Sequence, residues 1–317
     1  MNKYFFPIVL LLVFVLSGCS AQANQPTNTH PVDPSKPAFS GLNRDGLGDY
    51  SSTFTMQFEG PSPWTYQLKT RISANLREIR LHIEGIKASE NPGDIRLVTD
   101  GKTSWMIGPG TDQECVQFPN NQGMDPTGIY PESLIPPQEL ASLLQYTGEE
   151  TVAGATTLHY SGSARMAGGW QNVLVESWQE KTSQALLKFT LQANGNDQIF
   201  NAGAGTLTAR YEAAGLGSAP IEPVKGCEIS VPLPDSAQNF VRLPGLASFD
   251  SDAEVGEIQN FYQSSLPQEN WTENEPPAQS DGATILSYRK DAEGVEIHIE
   301  VDPAGGCKVK LIFMQAQ

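Results

Sequence analysis

The sequence predicts an α+β chain: one long curled antiparallel sheet with a helical insert, followed by a small β-α-β-β-β domain. Three observations predict it. Apolar and polar residues alternate over most of residues 50–214, and helical spacing occurs only near 140 and near 258. The 23 Pro and 29 Gly are dispersed rather than periodic, as a chain of strands and turns requires.

In "STFTMQFEG", Phe54, Met56 and Phe58 share one face while Thr53, Thr55 and Gln57 share the other. "EIRLHIEG" repeats the scheme with Ile79, Leu81 and Ile83. "DIRLVTDGKTSWMIG" reads as two strands about the Asp100-Gly101 hairpin turn. The segment "PESLIPPQELASLLQY", 131–146, breaks the alternation: Leu140, Leu143 and Leu144 have helical spacing, and Gly148 follows as a stop. Period two returns in "ATTLHYSG", "NVLVESWQE", "ALLKFTLQANG" and "GTLTARYEA".

Prolines 223, 232, 234 and 244 mark a junction rather than a sheet interior. Beyond it, "LASFD" is a short strand, and Ser251 and Glu254 have capping-box spacing. Val255, Ile258, Phe261, Tyr262 and Leu266 then form a helical stripe that ends at Pro267. "ATILSYRK", "GVEIHIEVD" and "CKVKLIFMQ" are the closing strands.

The amino terminus is of another kind. One positive charge, Lys3, precedes the apolar run "YFFPIVLLLVFVL", which suits a signal peptide and is too short to span about 30 Å of hydrocarbon. Leu16-Ser17-Gly18-Cys19 resembles the bacterial lipobox, whose cysteine is lipidated and becomes the new N-terminus. Residues 20–40, rich in Pro, Ser, Asn and Gln, read as a flexible spacer. The division is therefore a signal peptide at 1–18, a lipidated cysteine and spacer at 19–40, a first domain at 41–230 and a second at 231–317. The resemblance implies anchoring to the cell membrane on its extracytoplasmic face through diacylglyceryl and acyl chains such as palmitate on Cys19.

A net charge of −16, from 36 acidic and 20 basic residues, repels phosphate backbones, so no nucleic-acid partner is expected. Outside the cytoplasm disulfides persist. Three pairings of Cys115, Cys227 and Cys307 are open; Cys115–Cys227 is favoured, because both precede the expected domain boundary, with Cys227–Cys307 next. No CxxC or GxSxG occurs. His30, His82, His159 and His298 lack ligand spacing and read as solvated; Gly108-Pro109-Gly110 and Gly203-Ala204-Gly205 read as turns, and Asn270-Trp271-Thr272 as an incidental glycosylation match. No enzyme activity, metal or cofactor is expected, and a monomer is. Phe54, Met56, Phe58, Trp105, Ile107, Phe189 and Leu191 suit either a closed core or the lining of an apolar pocket.

These features together resemble the LolA/LolB-like group, which includes the LppX/LprG-type envelope lipoproteins. Its best local marks are "DGKTSWMIGPG" and "GEETVAGATTLHYSG", and the resemblance covers roughly residues 41–230. It implies a half-barrel wrapped around a helical insert and holding acyl chains inside. The long N-terminal helix of that group has no counterpart in "FSGLNRDGLGDYSST", where three glycines oppose helix. The expected function is binding or shuttling of a lipid or other hydrophobic ligand. The alternative is a non-catalytic envelope interaction module whose half-barrel is filled by side chains.

Overall fold

The computed structural model describes residues 36–44, 46–85, 94–108, 115–120, 134, 143–164, 169–217, 219–225 and 227–315. The signal segment, Cys19 and most of the spacer lie outside them. The chain forms two compact units, one drawn from residues 1–96 and 125–221, the other from 97–124 and 222–317.

The first unit is an antiparallel sheet of β1 (Tyr50–Glu59), β2 (Trp64–Ser73), β3 (Leu76–Glu84), β7 (Gln145–Val152), β8 (Ala155–Ala164), β9 (Gln171–Glu180), β10 (Leu186–Asp197) and β11 (Gly203–Ala214). Their order in space is β7-β8-β9-β10-β11-β1-β2-β3. Long strands with strict alternation produce this: in β1, Ser52, Phe54, Met56 and Phe58 are buried while their neighbours are not. Ahead of β1, positive φ at Gly41, Gly46 and Gly48 (106°, 89° and 65°) is incompatible with helix.

The second unit holds β5 (Thr103–Ile107), β6 (Cys115–Pro119), β12 (Ala237–Leu243), β13 (Leu246–Ser251), β14 (Thr272–Ser280), β15 (Ala283–Lys290), β16 (Glu293–Val301) and β17 (Cys307–Gln315). They are ordered β5-β6-β12-β13-β17-β16-β15-β14. The strand β4 (Ile95–Thr99) crosses from one unit to the other in sequence, and Asp100 Oδ1 accepts from the Lys102 and Thr103 amides (2.8 and 2.7 Å) to turn the chain into β5. One helix, α1 (Val255–Gln268), buries Ile258, Tyr262 and Leu266 against this sheet. Cys115 and Cys227 are disulfide-bonded, with Cα atoms 5.4 Å apart, and Cys307 is a buried free thiol. The disulfide and the β6–β12 pairing both tie the β5–β6 hairpin to the second unit, so residues 97–124 group there rather than with the domain expected at 41–230.

Several local expectations change. Of the helical insert, the described residues are Leu134 and Leu143, both helical, Leu144, in neither helix nor strand, and Gln145 and Tyr146, which already belong to β7; Gly148 lies inside that strand beside a register shift. Gly148 thus pairs with His159 just after a bulge at Thr147 and is not a stop. The helix cap is Glu254, boxed with Glu257, one turn later than expected. Ser251 ends β13 instead, where its Oγ bonds Ser236 Oγ at 2.8 Å and accepts from the Ala253 amide at 3.1 Å. Strand β12 fills the gap between Pro234 and Pro244 in the junction. Strand β14 adds a sheet edge that gave no alternating signal: all nine of its residues are exposed, two of them proline, as only an edge tolerates.

Candidate functional site

The buried face of the first unit is continuous from strand to strand. Two rows of direct cross-strand partners form its centre. One runs Tyr146, Tyr160, Ser177, Phe189, Tyr211, Phe54, Leu68, Leu81. The next runs Gly162, Val175, Leu191, Ala209, Met56, Tyr66, Ile83. Neither row contains a side chain ionised at neutral pH. Burial, with Tyr146 beside it, pushes the Tyr160 phenol above its usual range, so it stays a neutral hydroxyl. Small residues interrupt both rows: Ser177 stands between the rings of Tyr160 and Phe189, and Ala209 between Leu191 and Met56.

The two ends of the face differ. At one end a strap, residues 38–43, lies on β8 to β10. The Phe39 ring meets Tyr160 edge-on at 5.3 Å, and Tyr160 Oη donates to Ala38 O at 3.2 Å. Ser40 Oγ donates to Gln179 Oε1 at 3.2 Å, Gln179 Nε2 donates to Gly41 O, and the Leu186 amide donates to Asn43 O at 2.5 Å. Phe39 and Ser40, read from composition as spacer, are therefore packed on the sheet, and Phe39 is buried. At the other end Phe58 stacks on Trp64 (6.0 Å) and takes Trp170 edge-on (6.3 Å), while Phe200 meets Trp64 at 5.0 Å. Glycine permits this crowding: a Cβ at Gly205 would lie 2.2 Å from Glu59 O and 2.6 Å from the Phe58 ring. Buried Asp197 locks the corner, accepting from Trp64 Nε1 (3.0 Å) and from the Ile199, Phe200 and Ala202 amides.

Of the seven candidate pocket residues, five share this face. Phe54, Met56, Phe58, Phe189 and Leu191 are each 0–1% exposed. Trp105 and Ile107 do not join them: they pack with Cys115, Cys227 and Val224 in the second unit. Alternation marks a side chain as inward-facing, but it cannot say into which core. Cys19 lies outside the described residues.

Sequence reasoning also missed several polar residues. His82 is bracketed by Asp94 (2.6 Å at Nδ1) and Glu84 (2.7 Å at Nε2). His159 lies 2.9 Å from Glu150 and 3.6 Å from Glu176, stacked 4.4 Å from Trp178, whose opposite neighbour in sequence register, Lys188, places its ammonium 4.3 Å from the indole. Neither histidine is simply solvated. Glu84 stands two residues from His82 on one strand face, a signal available in the sequence; Asp94, Glu150 and Glu176 come from other strands or loops. Among the described residues no group of three or more His, Cys, Asp or Glu has the geometry to hold a metal ion. Glu78, only 1% exposed, is held by Arg71 (3.4 Å), Arg80 (3.2 Å) and Arg96 (2.5 Å), as a buried carboxylate must be. None of these clusters presents a nucleophile with an adjacent base.

The START domain-like family matches residues 236–306, which lie in the second unit. The outer-membrane lipoprotein LolB of Aggregatibacter actinomycetemcomitans is 25% identical over 114 residues, covering 31% of this chain and 55% of LolB. The chain thus spans about half the length of that curated relative. Among solved structures, MucB in complex with MucA aligns over 83% of this chain and 88% of its own, at 13% identity and a TM-score of 0.24. A LolA superfamily protein from Nitrosomonas europaea aligns over 56% and 90%, at 12% identity and a TM-score of 0.22. The LolB match stands beside the one-sided antiparallel sheet, and over those 114 residues the chain is similar to LolB.

Proposed function

We propose that this chain is a lipid-anchored extracytoplasmic protein whose first unit binds or carries a lipid or other hydrophobic ligand without catalysis. The observation that carries the reading is the pair of uncharged rows crossing the whole sheet, closed by the strap at one end and by the aromatic corner at the other. Such a face suits an acyl chain, whose burial contributes about 0.8 kcal/mol per CH₂. The LolB match, to an outer-membrane lipoprotein, supports an envelope location. Among the described residues no helix is long and apolar enough to cross a membrane, and the lipobox-like Leu16-Ser17-Gly18-Cys19 supports attachment through Cys19.

A second reading, a filled half-barrel serving as an interaction module, is favoured by the 0–1% exposure of the five face residues. A titration separates the two. A fluorescent fatty acid binds with low-micromolar affinity on the first reading, since about eight to ten buried CH₂ groups contribute about 6–8 kcal/mol. Leu191→Gln weakens that binding more than Thr55→Gln on the opposite face, with both variants shown to be folded by circular dichroism. A flat titration at high protein concentration means that the face is filled. The anchoring half of the proposal is checked by Cys19→Ala, which releases the protein from membranes or leaves it unprocessed; unchanged membrane partitioning and processing would refute it.

A further inference from the structure

The central row of the first unit contains one group that the fold leaves unmet. Ser177 is 0% exposed, and its Oγ has no hydrogen-bond partner among the described residues. Its direct cross-strand partners are Tyr160 and Phe189, and Gln179 is its neighbour two residues along the same strand face. The strap satisfies the polar groups on either side, through Tyr160 Oη to Ala38 O and Gln179 Nε2 to Gly41 O, and does not bond Ser177 Oγ. A buried hydroxyl without a partner is destabilising, and alanine would fill the same place without that penalty. From Ser177 an apolar track leads away across Val175, Leu191 and Met56 in the adjoining row.

Resting on the ligand-binding reading above, we infer that Ser177 Oγ is the hydrogen-bonding anchor for the uncharged polar group of an acyl ligand, an ester carbonyl or a glyceryl hydroxyl. The tail lies along Val175, Leu191 and Met56 toward the Phe58–Trp64 corner. An ionised head is disfavoured at this position, because neither central row offers a cation to pair with it and an unpaired charge is not tolerated in a buried apolar setting. Ser177 therefore sets head-group specificity, while the apolar rows set affinity for the tail.

Three probes with one tail length test this: 1-lauroylglycerol, laurate and dodecane, each displacing a hydrophobic fluorophore from the full chain and from Ser177→Ala. The wild-type chain binds lauroylglycerol more tightly than the other two. Ser177→Ala weakens lauroylglycerol about 3- to 10-fold, the worth of one hydrogen bond, and leaves dodecane unchanged. The melting temperature of the unliganded variant stays level or rises, because the substitution removes an unmet hydroxyl. A lowered melting temperature with all three affinities unchanged would overturn the inference, making Ser177 a packing residue while the ligand-binding reading stands. If no probe binds either protein, the ligand-binding reading itself fails and this inference falls with it.

Discussion

The two units each present one apolar face of an antiparallel sheet, and they cover it differently. In the second unit the cover is a recognisable amphipathic helix: Ile258, Tyr262 and Leu266 of α1 close on Leu286, Val295, Ile297 and Leu311. Both halves of that core come from regular elements. In the first unit, the described residues that close the face are a six-residue strap and an aromatic corner, held by side-chain hydrogen bonds and ring contacts rather than by a packed helix. A core built from two regular elements is complete when folded. On the proposed function, a face closed by a strap at one end and rings at the other is where an acyl chain lies. Unmet polar atoms occur in both units, at Tyr262 Oη and Trp271 Nε1 as well as Ser177 Oγ. Those of the second unit lie in the core that α1 closes; on the inference above, Ser177 Oγ in the first is an anchor.

The largest effect that tests this contrast comes from the disulfide. Replacing Cys115 and Cys227 with Ala removes a cross-link between residues 112 apart and destabilises the second unit by about 4–5 kcal/mol from lost chain entropy, read by denaturant unfolding. Acyl-probe affinity, measured below the unfolding transition, stays the same. Loss of probe binding on reduction would show that the two units do not act separately.

A smaller effect is expected at Tyr262. Burial, with Cys307 nearby, pushes its phenol far above the usual range, so it is a neutral hydroxyl with no partner among the described residues. Tyr262→Phe therefore stabilises the protein by about 1 kcal/mol, seen as a raised melting temperature, and leaves acyl binding untouched. Should Tyr262→Phe weaken the acyl probe, the second core would also hold ligand and the contrast between the units would collapse.

The smallest effect lies on the outer face of the first unit. Hydrogen bonds that the protonated ring donates to Glu84 and then Asp94 raise the His82 pKa above its ordinary 6.5, against a weaker opposing effect of burial. A raised folded-state pKa means that this contribution to stability is fully present below pH 6.5 and fades as pH rises through the folded value. Melting temperatures of the wild type and His82→Gln should therefore differ most at acid pH and converge above that value. A gap that widened with rising pH would contradict the sign. Both carboxylates are largely exposed, so the difference stays small.

Much of the sheet was legible from alternation alone. Strands β1, β3, β8, β9, β10 and β11 stand where period two places them, because each has one face in water and one in a core. Legibility failed where that condition fails. Strand β14 is exposed on both faces, so backbone pairing alone defines it. Strand β7 starts at Gln145, directly after the Leu143-Leu144 pair, and a leucine run reads as helix up to the point where a partner strand takes over. Phe39 sits in a Pro- and Ser-rich stretch that composition assigns to a tether, and its ring partner, Tyr160, stands 121 positions later in sequence.

By itself the sequence determined which side chains turn inward, the hairpin at Asp100-Gly101, the amphipathic stripe of α1 and the sign of the surface charge. Each follows from neighbours within a few residues, where strand or helix geometry dictates the pattern. Tertiary structure alone decided which core receives each inward residue. It sends Phe54 and Leu191 to the uncharged rows and Trp105 and Ile107 to the disulfide cluster, although all four alternate alike. It also decided that Ser177 stands unmet between two hydroxyl- and amide-bearing neighbours that the strap satisfies. The reason is physical: a side chain's burial is set by its own strand, but its partners are set by strands and straps far away in sequence, and hydrogen-bonding and packing energies depend on those partners.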